Sequence, residues 1–133
     1  IFFGYTQCPD VCPTTMTGMA EAMKLLGADA AKVQVLFVTV DPERDTPQLL
    51  AQYVPVFKPS FLGLYADAQT IARTAQDFRV FYKKQPGSTP TTYTVDHSAG
   101  SYVYDTQGRV RLYHRYGSGA PALAGDLKKL LAE

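Results

Sequence analysis

The sequence lacks several features that would indicate a binding partner or a location. Its 133 residues include 13 basic and 12 acidic side chains, which leave a net charge of +1. Without an excess of one charge, nothing favours nucleic acid or an acidic membrane surface as a partner. No apolar run approaches the roughly 20 residues of a membrane-spanning helix. Because repeats, linkers and low-complexity tracts are also missing, we expect one domain over residues 1–133.

Cysteine and histidine are scarce, with only two of each in the chain. A structural zinc site normally takes four such ligands, and Cys8, Cys12, His97 and His114 do not cluster in sequence, so that kind of site is disfavoured. The number of cysteines alone fits a redox pair, a metal-binding pair or one disulfide of an exported protein.

The first residues lack an initiator methionine and a signal peptide, and the chain opens inside the apolar segment "IFFGY". A native protein rarely starts within a buried strand. We therefore expect further residues before Ile1, where a membrane anchor or an export signal would lie.

Segments of strand and helix character alternate along the rest of the chain. Strands are predicted at residues 1–5, 33–40 and 61–67, and helices at about 13–27, from Thr46–Pro47 onward, at about 68–82 and at about 120–131. The 83–92 segment is predicted as a mobile loop or a loose hairpin, and 101–117 as two strands joined by a turn at 105–108. This order predicts an α/β fold, a thioredoxin-like mixed sheet flanked by helices, with a C-terminal β-hairpin and helix.

The two cysteines lie where the first strand should pass into the first helix, in "GYTQCPDVCPTTM". The partial positive charge of a helix N-terminus favours the thiolate, the form that binds metals and attacks disulfides. Residues four apart share a helix face, with Cβ atoms about 5–6 Å apart, so Cys8 and Cys12 can reach one metal ion or form a disulfide. An inert disulfide is the weaker interpretation, because so short a ring removes little unfolded-state entropy.

A third ligand is predicted at His97, in the loop before the C-terminal hairpin. In a thioredoxin-like sheet this loop faces the helix N-terminus that carries the cysteines. Two thiolates and one imidazole suit Cu(I), and with a weak additional ligand they also hold Cu(II). His114 is better explained as a half-exposed strand residue.

Asp41 ends the second predicted strand and has two interpretations of equal weight. Its carboxylate either tunes the metal site or contacts a partner, or it forms a turn before the next helix. For Glu43, Arg44 and Asp45 we favour turn and cap roles. The methionines of the first helix have the spacing of a buried stripe, so core packing is favoured over copper binding: Met16, Met19 and Met23.

Three blocks of the sequence, "GYTQCPDVCPTTM", "VTVDPERDTP" and "VDHS", together resemble the Sco/SenC family of copper-binding proteins, which serve the assembly of cytochrome c oxidase. The resemblance covers nearly the whole chain. It implies a thioredoxin-like fold with copper held by Cys8, Cys12 and His97. It also implies an N-terminal membrane anchor and a domain facing the periplasm, or the intermembrane space of mitochondria.

The function we expect is that of a copper metallochaperone that delivers one ion to the CuA centre of cytochrome c oxidase. Its partners would be the copper-bearing subunit of the oxidase and other periplasmic copper chaperones or thioredoxin-like reductants. The alternative is a thiol–disulfide oxidoreductase that reduces the cysteines of that subunit, which would need Cys8 and Cys12 but not His97. A copper-dependent sensor is a third class that the sequence leaves open.

Overall fold

The computed structural model describes residues 1–7, 11–87, 94–97 and 100–133, without the side chains of residues 11, 12, 94, 96 and 97. Within these residues the strands are β1 (Phe2–Gly4), β2 (Leu36–Thr39), β3 (Leu62–Leu64), β4 (Tyr82–Gln85), β5 (Thr94–His97), β6 (Ser101–Tyr104) and β7 (Val110–His114). The helices are α1 (Val11–Leu26), α2 (Pro47–Tyr53), α3 (Ala68–Phe78) and α4 (Ala120–Leu131), with short 3-10 helices at Gly27–Lys32 and Val54–Val56.

The main sheet of the described chain has five strands in the order β3-β2-β1-β6-β7. β1, β2 and β3 are parallel, β6 runs antiparallel to β1, and β7 runs antiparallel to β6. The carboxyl ends of β1, β2, β3 and β7 therefore lie along one edge of the sheet, called the carboxyl edge below. The sheet has the thioredoxin-like arrangement that the sequence predicts, including the C-terminal hairpin and helix.

Aromatic side chains fill both faces of this sheet, because consecutive strand residues point to opposite sides. On one face Phe37 contacts Tyr53 of α2, with ring centroids 5.9 Å apart. On the other face Phe3 contacts Phe78 of α3, with centroids 5.3 Å apart. Helices thus cover both faces, which agrees with the nearly continuous apolar run predicted for the second strand.

α1 packs against α4 and buries the stripe that the sequence predicts. The predicted stripe also includes Ala20 and Leu26; Ala20 is partly buried, and the other four members are at most 5% exposed: Met16, Met19, Met23 and Leu26. The methionines therefore belong to the core, as predicted. No helix in the described part of the chain is both long and apolar enough to cross a membrane.

α2 begins as its sequence predicts. The Thr46 side chain accepts a hydrogen bond from the backbone N–H of Leu49 at 3.1 Å, and Pro47 is the first helical residue. A hydroxyl cap and a proline at the first position both favour a helix start.

α3 ends earlier than predicted, at Phe78 instead of about residue 82. Arg79 adopts a left-handed conformation with φ of 55°, and its N–H bonds to the carbonyls of Ala75 and Gln76. This backbone termination normally uses glycine, so the sequence carries no signal for it. The last residues of the predicted helix, which include Phe81 and Tyr82, therefore lie outside α3: Phe81 is 60% exposed and Tyr82 begins β4.

The segment after α3 contains a hairpin, one of the two alternatives predicted there, with its second strand placed beyond residue 92. β4 and β5 pair antiparallel, from Tyr82 opposite His97 to Gln85 opposite Thr94, in a two-stranded sheet separate from the main one. His97, expected on a loop, is the last residue of β5. The strands are rich in Lys, Gln and Thr, so they lack the apolar alternation that predicts a half-buried strand.

Candidate metal centre

The predicted cysteine ligands belong to the connection that leaves β1 at the carboxyl edge. Cys8 lies outside the described residues. Cys12 is the second residue of α1, so its backbone is at a helix N-terminus, as predicted. That position favours a thiolate over a thiol, whether the sulfur binds a metal or exchanges with a disulfide.

The strand that carries His97 is held against the end of β1. The backbone N–H of Val95 donates a hydrogen bond to the Tyr5 hydroxyl at 3.1 Å, and both residues are buried. Tyr5 precedes Cys8 by three residues, and Val95 precedes His97 by two. The two segments that carry the predicted ligands therefore meet at this buried contact.

An ion pair also joins the β4–β5 hairpin to the connection after β2. Lys84 Nζ lies 3.2 Å from Glu43 Oε2, and more than half of each side chain is exposed. Exposed pairs of this kind contribute about 0–1 kcal/mol, so the buried Tyr5 contact is the firmer attachment of the hairpin.

Asp41 is buried at the end of β2 and forms a turn with the residues that follow. Its carboxylate accepts a hydrogen bond from Arg44 Nε at 2.6 Å, and its carbonyl accepts one from the N–H of Asp45 at 2.9 Å. Arg44 also lies 5.7 Å from the centre of the Tyr5 ring and donates to Gln7 Oε1 at 3.3 Å. Asp41 thus has the turn role that the sequence allows and is linked through Arg44 to the segment before Cys8. Its role in tuning the metal site or contacting a partner stays a prediction.

Asp45 is a residue whose importance the sequence analysis missed. The sequence favours a local turn or cap role for this residue. In the structure its carboxylate is fully buried and accepts hydrogen bonds from Thr6 N at 3.1 Å, Thr6 Oγ1 at 2.6 Å and Thr39 Oγ1 at 2.7 Å. It therefore joins the end of β2 to the residues leading to Cys8. The sequence carries no local signal for this contact, because Thr6 and Asp45 are 39 residues apart.

His114 lies in β7 and is half-buried, as predicted for a strand histidine. Burial lowers the pKa of its imidazole, while Asp126 raises it to a smaller extent. The ring borders a cavity of about 480 Å³ between the first turns of α1 and the start of α4, lined also by Pro13, Thr17 and Gly119.

The described side chains contain no group of three or more His, Cys, Asp or Glu residues that could hold a metal ion. The described side chains do not include those of Cys8, Cys12 and His97. The structure brings their chain segments together at the carboxyl edge, and the ligand set itself stays a prediction.

Comparison with known proteins gives one consistent result. The family model described as SCO1/SenC matches residues 1–132. A SCO2-like protein of Rickettsia felis is 38% identical over 122 residues, which are 91% of this chain and 59% of that protein. The mitochondrial SCO2 homolog of Bos taurus is 35% identical over 134 residues, covering 99% of this chain and 50% of its own length. The chain therefore spans about half of the relatives that it matches.

A solved structure extends the similarity to the fold. The structure of Bradyrhizobium japonicum ScoI with copper bound superposes with a TM-score of 0.88 and 41% identity, over 97% of this chain and 82% of that one.

Proposed function

The chain belongs to the SCO1/SenC family, and from this premise we propose that it binds one copper ion through Cys8, Cys12 and His97 and passes it to the CuA centre of cytochrome c oxidase. Family membership supports a copper-binding role in oxidase assembly. The copper-bearing subunit of the oxidase is the proposed recipient, and copper is cargo rather than a permanent cofactor.

The contact between Tyr5 and Val95 is the observation that carries this proposal. It joins the strand leading to the cysteines to the strand bearing the histidine, through a buried bond of 3.1 Å. Two thiolates and an imidazole form a soft donor set that suits Cu(I) and can hold Cu(II). The related Bradyrhizobium japonicum ScoI is known with copper bound, which is consistent with the same use of this fold here.

The residues of this chain have distinct tasks in such a transfer. Cys12, at the start of α1, contributes a thiolate favoured by the helix N-terminus, and Cys8 contributes the second sulfur. His97 approaches from β5 on a different part of the chain. With few ligands at the carboxyl edge, an incoming thiolate replaces one donor at a time, and both cysteines must be reduced for this exchange.

We infer a location at the periplasmic face of an inner membrane or in the mitochondrial intermembrane space. The mitochondrial SCO2 homolog of Bos taurus supports the second of these compartments.

The test is a copper titration of the reduced protein, followed by optical spectroscopy. We expect one ion per chain and a thiolate-to-Cu(II) charge-transfer band. His97→Ala should remove or strongly weaken binding, whereas His114→Ala, which changes the other histidine of the chain, should leave it intact. Unchanged binding by His97→Ala would refute the proposed ligand set.

A thiol–disulfide oxidoreductase is the second candidate, supported by the position of Cys12 at a helix N-terminus. It would reduce the cysteines of the oxidase subunit before the metal arrives. His97→Ala separates the two functions, because thiol exchange with an oxidised subunit needs only Cys8 and Cys12. Loss of copper binding with exchange intact assigns the histidine to metal transfer alone.

A further inference from the structure

We propose that two tyrosine hydroxyls, those of Tyr5 and Tyr113, position the backbone on either side of His97 and so set where its imidazole lies relative to the cysteines. Neither tyrosine is a proposed ligand. The inference rests on the proposed function, since it gives both residues a task only if His97 binds copper.

Tyr5 holds the chain before His97. Its hydroxyl accepts the N–H of Val95 at 3.1 Å, and only 2% of Tyr5 and 5% of Val95 are exposed. A buried backbone N–H must find an acceptor, and here the acceptor is Tyr5, which directly follows β1. The guanidinium of Arg44 lies 5.7 Å from the centre of the Tyr5 ring and helps to fix its orientation.

Tyr113 holds the chain after His97. Its hydroxyl, from β7, accepts the N–H of Gly100 at 3.1 Å. A Cβ atom on Gly100 would clash with Cζ of Tyr113, so the ring lies directly on the glycine backbone. A side chain at position 100 would therefore displace the ring from this position. A ring contact with Tyr102, at 5.2 Å between centroids, supports Tyr113 in this position.

The two bonds bracket the histidine, with Val95 two residues before it and Gly100 three residues after it. Their acceptors are Tyr5, directly after β1, and Tyr113 in β7, so both belong to the main-sheet side, whereas β5 belongs to the separate hairpin. The bonds therefore attach the chain at Val95 and at Gly100 without adding β5 to the main sheet. β1 also leads to Cys8. The same strand is therefore connected to a proposed cysteine ligand and, through Tyr5, to the strand of the proposed histidine ligand.

The test uses Tyr5→Phe, Tyr113→Phe and the double variant, which keep the rings and remove the hydroxyls. Tyr104→Phe is the matched control. Its ring packs on Phe78 with centroids 5.6 Å apart, it lies at the opposite end of β6 from Gly100, and no hydrogen bond of its hydroxyl is found within the described residues.

The first measurement is amide hydrogen exchange of the reduced protein without copper. Tyr5→Phe should accelerate exchange at Val95, and Tyr113→Phe at Gly100, each about tenfold or more, because a buried donor loses its acceptor. The control should leave both amides unchanged. Unaltered exchange at Val95 and Gly100 would overturn the proposal.

The second measurement is the Cu(II) titration with its charge-transfer band. The double variant should bind copper about tenfold more weakly and with a shifted band, because a smaller fraction of molecules holds the imidazole in the competent position. Faster exchange with unchanged affinity and band would make the tyrosines merely structural and would overturn the proposal. If Tyr5→Phe does not fold, Tyr113→Phe alone carries the test, since its side chain is 47% exposed.

The two proposals fail in different ways. If the wild type and His97→Ala bind copper equally, the ligand set is wrong and the positioning role falls with it. If His97→Ala loses copper while the tyrosine variants retain full affinity and an unshifted band, only the positioning proposal fails.

Discussion

Asp45 and Asp105 each collect several hydrogen bonds on one carboxylate, but they lie at opposite edges of the main sheet. Asp45 is fully buried and is bonded to Thr6 and Thr39, 39 and 6 residues away. Asp105 follows β6 and accepts from the backbone N–H groups of Gln107 and Arg109, only two and four residues away, in a turn at the surface.

The difference separates a long-range polar contact from a local one. The carboxylate of Asp105 closes a turn that the nearby chain already favours. The carboxylate of Asp45 joins the ends of two strands at the edge where the predicted metal ligands lie. Asp45 therefore joins two strands at the carboxyl edge, whereas Asp105 closes the turn of the β6–β7 hairpin and pairs with Arg109 and Arg111 beside it.

The largest effect is expected for Asp45→Ala, which leaves the hydroxyls of Thr6 and Thr39 and one N–H without their acceptor inside the protein. Each buried group left unsatisfied costs about 1–3 kcal/mol, so the free energy of unfolding should fall by roughly 3 kcal/mol or more. Urea denaturation followed by circular dichroism measures this loss.

Asp29→Ala is the control for that variant. Its side chain is 48% exposed and pairs with Lys32 at 3.7 Å. Such a surface change should alter stability by less than about 0.5 kcal/mol. Equal losses for the two variants would mean that the buried contacts of Asp45 contribute no more than a surface ion pair.

Thr39→Val should have an intermediate effect. The Thr39 hydroxyl donates to Asp45 at 2.7 Å and accepts the N–H of Asp41 at 3.0 Å. Valine keeps the shape and suits a strand, so only the two hydrogen bonds are lost, at a cost of about 1–2 kcal/mol. Urea denaturation also measures this loss of unfolding free energy. If the loss is as large as that of Asp45→Ala, the hydrogen bonds from Thr6 to Asp45 contribute nothing to stability.

The smallest effect is expected for Asp105→Asn, and it should depend on pH. Hydrogen bonds, first of all from the Arg109 backbone, lower the pKa of Asp105 from 3.8 to about 2. Because the folded value is depressed, the ionised carboxylate stabilises the fold above pH 3.8, and this contribution disappears as the pH falls toward 2. Thermal unfolding of wild type and variant should therefore converge over that interval. A constant difference between the two melting temperatures would contradict the assignment.

The local signals in the sequence predicted most of the fold. The valine-rich run of β2, the Thr46–Pro47 start of α2 and the methionine stripe of α1 each act through neighbouring residues, so one sequence is enough to detect them. The end of α3 was not predicted, because Arg79 adopts a left-handed backbone conformation that usually requires glycine. The β4–β5 hairpin was predicted only as one of two alternatives, because its polar residues pair with each other and give no hydrophobic pattern.

The candidate site was likewise predicted only where its sequence signals are local. Cys8, Cys12 and His97 were identified from short motifs, and their assignment as ligands stays a prediction. The contacts that bring their segments together were not visible in the sequence, because Tyr5 and Val95 are 90 residues apart and Thr6 and Asp45 are 39 residues apart. Only a folded chain shows that these pairs meet.

The separation of the β4–β5 hairpin from the main sheet has a consequence for how such a domain can diversify. β4 ends at Gln85 and β5 begins at Thr94, and the two strands form a sheet of their own. Inserting or deleting residues between these two strands changes no pair of the main sheet, and a change of chain length itself carries a small entropic cost. The length of that connection can therefore vary while the strands of the main sheet keep their register.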